Sequence, residues 1–359
     1  MKDDVQMRSS DSSNPLADDL DRIFLHTEGL WEELRGKCIF ITGGTGFFGR
    51  WLLESFAWMN DSLNLNASAL VLTRDYDTFQ ENAPQLAANP AIKFLAGDVR
   101  NFIFPEGEFT HIIHAATAAS GKLNDEYPLL MFDTIIEGTR HTLDFAIHCG
   151  AKKFLLTSSG AVYGKQPPEM IHISEDYYGA PDSTDPNSVY GEGKRAAELR
   201  CTLYSKIYGF EAKIARCFSF VGPYLPLDVH YAIGNFIRDG LIGGPIEVKG
   251  DGTPYRSYLY AADLAIWLWT ILFKGESCCP YNVGSEEAIT IADLANTVAG
   301  CFQKQIDVKI ANSPDPNKPS ERYVPSVKRV QKLGDRQIVC LREAIERTII
   351  HVKASARCL

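Results

Sequence analysis

Apolar residues along this chain come in short continuous runs, each closed by glycine or a polar turn, with helical-period stretches between them. KCIFITGG (37–44) is such a run, and RWLLESFAWMN (50–60) after it carries apolar residues at helical spacing. Further strand-like runs are ASALVLTRD (67–75), AIKFLAGDVR (91–100), THIIHAAT (110–117), AKKFLLTSSGAVYG (151–164) and EAKIARCFSFVG (211–222). Helical patterns cover 21–35, 129–150 and 189–208, and the second of these stops at a glycine, as helices commonly do. Continuous rather than alternating apolar strands are those of a parallel sheet buried on both faces. Strands alternating with helices give βαβ units. The predicted fold class is therefore α/β, a Rossmann-type doubly wound parallel sheet. Beyond residue 225 proline and glycine become frequent and the pattern loosens, which predicts a smaller, loop-built C-terminal lobe suited to substrate recognition. The expected division is a mobile tail over 1–20, a dinucleotide-binding domain with the catalytic residues over 21–224, and a substrate lobe over 225–359.

Composition narrows the function classes. With 359 residues, 45% hydrophobic and 23% charged, the chain can bury a large core. A net charge of −9 argues against a nucleic-acid partner. The longest apolar run, AADLAIWLWTILF (261–273), falls short of the roughly 20 residues of a membrane span and reads as a buried helix. The N-terminal MKDDVQMRSSDSSNP lacks the apolar centre of a signal peptide, so the expectation is a cytoplasmic protein. The nine cysteines show no CxxC spacing and read as free thiols, most of them buried; the eight histidines show no HxxxH or HExxH spacing, and no metal site is expected.

Two stretches carry chemistry. In FITGGTGFFG, Gly43, Gly46 and Gly49 stand between a strand and a helix, which is the context a dinucleotide loop requires. Gly43 allows the tight turn, Gly46 lets backbone approach a pyrophosphate, and Gly49 lets helix and strand pack closely. The helix N-terminus adds unpaired N–H groups for the phosphates. The next strand ends in LTRD, with Thr73 where an acid for the ribose 2′-hydroxyl of NAD would stand. Arg74 there suits the 2′-phosphate of NADP(H), which is favoured; Asp75 taking the ribose of NAD(H) is the other reading. In SVYGEGKRAAE (188–198), Tyr190 precedes Lys194 by one helical turn. The spacing alone leaves two readings, an acid–base pair or an ordinary polar helix face. As a pair, the ammonium would favour the phenolate and bring the phenol's pKa down from about 10.

With both stretches on one chain, the sequence resembles the extended short-chain dehydrogenase/reductases, in particular the nucleotide-sugar epimerase/dehydratase group. The likeness runs from about residue 37 to 335 with many motifs in order. TGGTGFFG resembles the cofactor loop and includes Phe47 and Phe48. GDVR (97–100) resembles the adenine-contacting segment with Asp98 and Val99. HAAT (114–117) resembles the strand end along the nicotinamide half, with Ala115, Ala116 and Thr117. TSSGAVYG (157–164) puts Ser159 in the catalytic hydroxyl position beside Ser158, and YGEGK supplies Tyr190 and Lys194. ARCFSFVGP (215–223), with Cys217, Phe218 and Ser219, resembles the stretch closing over cofactor and substrate. GDGTPYRSYLYAADLA (250–265) resembles the loop whose arginine, here Arg256, holds a substrate phosphate; YNVGSEEAITIADLA (281–295) also fits. The resemblance implies that Tyr190 is the general acid/base, Ser159 polarises the sugar oxygen, and Lys194 tunes the phenol and bonds the nicotinamide ribose.

Departures from the family pattern shape the expected reaction. Dehydratases of the family carry Asp-Glu just after the catalytic hydroxyl residue, and decarboxylases keep a glutamate there; this chain has Gly160 and Ala161, which move no proton. SEDYYGAPDSTDPNSVYGEGKRAAE nevertheless looks closest to the decarboxylases. The expected activity is reduction at C4 of an NDP-4-keto-6-deoxyhexose in deoxysugar or surface-polysaccharide synthesis. A 4-epimerase that retains NAD is the alternative, dehydratase or UDP-glucuronate decarboxylase comes behind it, and a non-catalytic cofactor-binding protein last. Ser219 replaces a usual asparagine, and Ser326 the aspartate of the RxPD-like ERYVPSVKRVQKLG, where Arg322 remains a candidate phosphate ligand with a surface arginine as its other reading. Arg256 could instead form a structural ion pair. Asn235 is a further nucleotide contact. Arginine suits phosphate because its planar fork binds two oxygens at once. The family implies a homodimer through helices 129–150 and 189–208, although Leu129, Phe132, Leu143 and Phe145 are equally able to face only the sheet.

Overall fold

The computed structural model describes residues 14–117, 126–228, 231–334 and 336–356. Its centre is a sheet of seven strands: β1 (Cys38–Thr42), β2 (Ser68–Thr73), β3 (Ile92–Ala96), β4 (His111–His114), β5 (Lys153–Ser159), β6 (Glu211–Cys217) and β7 (Pro280–Val283). All neighbours pair in parallel, in the order β7-β6-β5-β4-β1-β2-β3. The order reverses between β1 and β4, and that switch point is where an open α/β sheet forms its ligand crevice.

Residues alternate between the two faces of each strand, so each face collects its own core. Ile39 and Ile41 of β1 join Val71, Ile113 and Leu155 on one face, while Phe40 joins Leu72, Ile112 and Phe154 on the other. The first face is covered by α2 (Phe47–Leu63) and the second by α3 (Pro128–His148) and α4 (Val189–Tyr208). These helices and β1 to β6 lie where the apolar pattern predicted, the strands trimmed by a few residues and α2 longer by three at each end than the expected 50–60. The expected helix 21–35 is instead α1 (Ala17–His26) and a short 3₁₀ turn at Trp31–Leu34. Of the tail expected over 1–20, residues 1–13 lie outside the described residues, and Leu16 and Leu20 are buried.

Beyond residue 225 the chain forms α5 (Ala232–Ile242), a parallel pair Ile246–Val248 with Val308–Ile310, a three-stranded patch around Tyr255–Arg256, and α7 (Ile291–Ala299). Two of its elements return to the main sheet: β7 extends it, and α6 (Ala261–Lys274) is buried along its length. Its Trp269 packs against Trp31 with ring centroids 4.5 Å apart. The closing helix α8 (Leu341–Ala356) and α1 are tied through Asp19, which accepts from Tyr260 (2.7 Å) and Arg347 (2.6 Å). No described helix is long and apolar enough to cross a membrane. The described cysteines are unpaired; Cys149, Cys201 and Cys217 are buried, but the other five are half-buried or exposed, fewer buried than the sequence suggested.

Candidate active site

The carboxyl ends of β1, β2 and β4 enclose a cavity of about 210 Å³. Gly43, Gly46, Arg74, Asp98, Val99 and the Ala115–Thr117 strand end all line it. Gly43 has φ +72°, and a Cβ there would meet the Ala115–Ala116 backbone at 2.5 Å, so only glycine lets β1 turn beneath β4. A Cβ on Gly49 would strike the Gly43 and Gly44 backbone, the helix–strand contact expected of the third glycine. Gly46 differs: a Cβ there would meet nothing nearer than Gly43 O at 3.5 Å, and the open side is the cavity. Gly46 is also the N-cap of α2, and no side chain caps that end. The first-turn N–H groups of α2 are thus left for an anion. A cradle that a side chain would fill, under an uncapped helix end, fits a dinucleotide pyrophosphate. Phe47 and Phe48 turn to the protein instead, with Phe48 edge-on to Phe220 at 5.0 Å. Asp98 is held by Arg100 through two bonds of 2.8 and 2.9 Å, which keeps its carboxyl below the usual range.

The strand end over this cavity is fixed from below. His114 lies buried between Thr42 (Nδ1 to Oγ1, 2.8 Å) and Thr139 (Nε2 to Oγ1, 3.2 Å). Burial pushes its pKa down to about 3, so the ring is neutral, and Thr42 in turn accepts the Ala116 N–H at 3.2 Å. Above it, α4 carries Tyr190 and Lys194 on one face, and β5 ends at Ser159. Lys194 is buried; its Nζ donates to Thr117 Oγ1 (2.6 Å) and Thr157 O (2.8 Å), and burial brings its pKa down to about 8. The Tyr190 phenol faces the Ser159 hydroxyl, and burial raises its pKa well above the ordinary phenol value. The expected lowering of the Tyr190 pKa by Lys194 is not found in this geometry. The ammonium sits 6.0 Å from the ring centroid and is spent on threonine oxygens, so desolvation dominates.

Tyr323, which the sequence motifs did not single out, also faces Ser159. Its ring packs against Phe218 with centroids 4.7 Å apart and planes tilted by 38°. Both close off the space beside Gly160, where a Cβ would meet the Phe218 ring and the Tyr323 hydroxyl at 2.7 Å. The position that follows Ser159 is therefore walled by aromatics. Cys217 lies buried at the end of β6, and burial, only partly offset by the nearby Lys194, pushes its thiol up to about 12.

Other candidates take different places. Ser158 does not serve the cleft: it points to the opposite side of β5 from Ser159 and donates to Glu198 at 2.5 Å. Glu198 pairs with Arg216 (2.7 Å), whose guanidinium lies 4.7 Å from the Tyr163 ring centroid, so Ser158 belongs to a buried structural network. Ser219 is half-buried just past β6. Asn235 on α5 accepts from Arg238 at 3.2 Å. Arg256 makes no ion pair among the described residues and donates to the Tyr255 carbonyl at 2.8 Å, which leaves guanidinium donors open. Arg322 stacks over the Tyr255 ring at 4.1 Å. Tyr323 and Arg256 face each other in register on adjacent strands, an approach of distant segments that no local motif reveals.

A parallel sheet with a glycine loop at its switch point and a Tyr-Lys-Ser set across the cleft is what the sequence of a known family encodes: the profile of the NAD dependent epimerase/dehydratase family matches residues 39–284. The chain belongs to this family. It is an enzyme of the extended short-chain dehydrogenase/reductases, as the motifs implied. UDP-glucuronic acid decarboxylase 6 of Arabidopsis thaliana is similar to it, 31% identical over 309 residues that span 86% of each chain. The UDP-glucose 4-epimerase of Thermus thermophilus, solved in complex with NAD, has a TM-score of 0.73 and 26% identity over 89% of this chain and 99% of its own. UDP-N-acetylglucosamine 4-epimerase from Methanobrevibacter ruminantium, at 20% identity and a TM-score of 0.76, shares the fold over 89% of this chain and 99% of its own. The cavity and the Tyr190 cluster adjoin at Thr117, which lines the first and accepts from Lys194 in the second.

Proposed function

We propose that this protein reduces the C4 carbonyl of an NDP-4-keto-6-deoxyhexose, with NADPH as the reductant. The observation that carries the reading is the aromatic wall beside Gly160. Dehydration and decarboxylation in this family call on a carboxylate next to the catalytic hydroxyl, and here Phe218 and Tyr323 fill that space. Hydride movement with one proton transfer is the chemistry the remaining groups support, despite the likeness to decarboxylases. Arg74 on the cavity wall supports NADPH over NADH.

Ala115–Thr117 would hold the nicotinamide, which when bound would supply the hydride. Ser159 holds the substrate oxygen with its hydroxyl, while its own lone pair accepts the Ala161 N–H at 3.1 Å. Tyr190, protonated because it is buried, gives its proton to the C4 oxygen as the carbonyl electron pair moves there. Lys194, held at Thr117 and the Thr157 carbonyl, suits the nicotinamide ribose. Arg256 suits the substrate diphosphate. The same reading expects a cytoplasmic homodimer formed through α3 and α4. A 4-epimerase remains the second reading, supported by the Thermus thermophilus relative.

The test follows absorbance of NADPH on adding a 4-keto-6-deoxy nucleotide sugar to the purified protein. Substrate-dependent oxidation is expected, and Tyr190→Phe is expected to cut it by at least 100-fold without loss of fold, an order of magnitude set by general acid catalysis. Stoichiometric NAD released on denaturation, with no net NADPH consumption, would establish the epimerase instead.

A further inference from the structure

A second cavity, of about 170 Å³, adjoins the first; Thr45, Thr73 and Arg74 line both. Arg50 lines only this second one. It stands on the first turn of α2, where a cation opposes the helix dipole, and it is partly desolvated. Both conditions call for an anion. Glu54, one turn on along the same face, is the carboxylate that could supply it. Glu54 instead accepts the Tyr224 hydroxyl at 2.8 Å, and burial raises its pKa. Arg50 forms no ion pair among the described residues. Its guanidinium lies 5.1 Å from the Tyr224 ring centroid and 5.7 Å from that of Phe79, held by cation–π contact. Tyr224 itself is strained, with φ +71°, a conformation rare for a bulky residue and kept only where the surroundings enforce it. Tyr224 thus sets its ring against Arg50 and its hydroxyl on Glu54, whose carboxylate acts on Arg50 through space without bonding it.

We infer that Arg50 is the inner half of a phosphate seat, with Arg74 as the outer half, for the 2′-phosphate of a phosphorylated adenosine dinucleotide. The inference rests on the NADPH reading and assigns it a residue that the strand-end motif does not contain. Thr45 and Thr78 add hydroxyls to the cavity wall. Asp75 also lines it, but its carboxylate caps the short helix Tyr76–Asn82 by accepting the Thr78 N–H at 3.0 Å. Arg50 and Arg74 face one committed carboxylate on the cavity wall, and Glu54, which acts on Arg50, does not line it. NADH has no group to answer Arg50.

The experiment is calorimetric titration of the full chain with NADPH, NADH and 2′,5′-ADP, for wild type and Arg50→Ala. Losing a charge-assisted contact should weaken NADPH and 2′,5′-ADP roughly 10- to 100-fold and leave NADH unchanged. Arg50→Lys should recover part of the loss, since it keeps charge without the planar fork. If Arg50→Ala does not fold, Arg50→Gln keeps the length of the side chain and carries the same expectation. Equal weakening of NADPH and NADH would overturn the assignment and leave Arg50 a structural residue. A wild type that prefers NADPH, with that preference unchanged in the variants, would overturn Arg50 alone. A wild type without preference would remove the NADPH reading itself.

Discussion

Lys194 is a cation kept where water does not reach, satisfied by Thr117 and the Thr157 carbonyl. Its pKa in the fold is about 8 against 10.5 in an open chain. Between these values the unfolded chain holds more protons than the folded one, so stability rises with pH across that window; below it the burial cost is constant. Cofactor-free wild type should therefore gain melting temperature relative to Lys194→Met as pH goes from about 8 to 10.5. A difference that stays flat across the range would mean that the ammonium is not desolvated. The residues that a local pattern can carry were legible in the sequence: Gly43, Gly46 and Gly49 at the strand end, and Tyr190 and Lys194 one turn apart. Tyr323 and Arg50 were not. Tyr323 reaches Ser159 from 164 positions along the chain, and Arg50 gains its meaning from Tyr224 and Phe79, so only the assembled topology joins them.

Helix α6 brings a different conflict. It is buried throughout, yet it carries Asp263 in its first turn. One carboxylate oxygen accepts the Ile338 and Val339 N–H groups at 3.1 Å each, and the other has no partner among the described residues. Burial raises its pKa to about 6 from 3.8. The folded state thus holds the proton more tightly, and stability contributed on the acid side is lost as pH rises from 3.8 through 6. Asp263→Asn keeps an acceptor for both N–H groups and removes the buried charge. It should stabilise the protein near pH 7 by about 1–3 kcal/mol and flatten its pH dependence between 4 and 6, measured by denaturant unfolding. Destabilisation near pH 7 would mean that the charge is compensated. At this scale α6 was legible, because a long apolar run admits no exposed face. β7 was not: it has four residues, begins with Pro280 and includes Asn282, so it lacks the apolar run that marked its neighbours.

Among the described residues, the outer faces of α3 and α4 carry exposed apolar side chains. On α4, Leu199, Leu203 and Ile207 recur every fourth residue and are 61%, 49% and 67% exposed. Leu129 at the start of the adjoining α3 is 78% exposed, whereas Leu143 and Phe145 of that helix are fully buried against the sheet. The two candidate roles of α3 are thus divided between its faces: one packs on the sheet, and the other is free with α4. Water-exposed leucines at one-turn spacing on two packed helices supply what a second copy would cover, helix pair against helix pair. The proposed homodimer therefore makes a definite prediction. Sedimentation equilibrium of the wild type should give twice the mass of the 39.9 kDa chain. Leu203→Glu with Ile207→Glu should give monomers of unchanged helical content, because both side chains already lie outside the core and a charge there costs only the interface. A monomeric wild type would rule out the dimer, and a double variant that remains dimeric would move the contact away from α4.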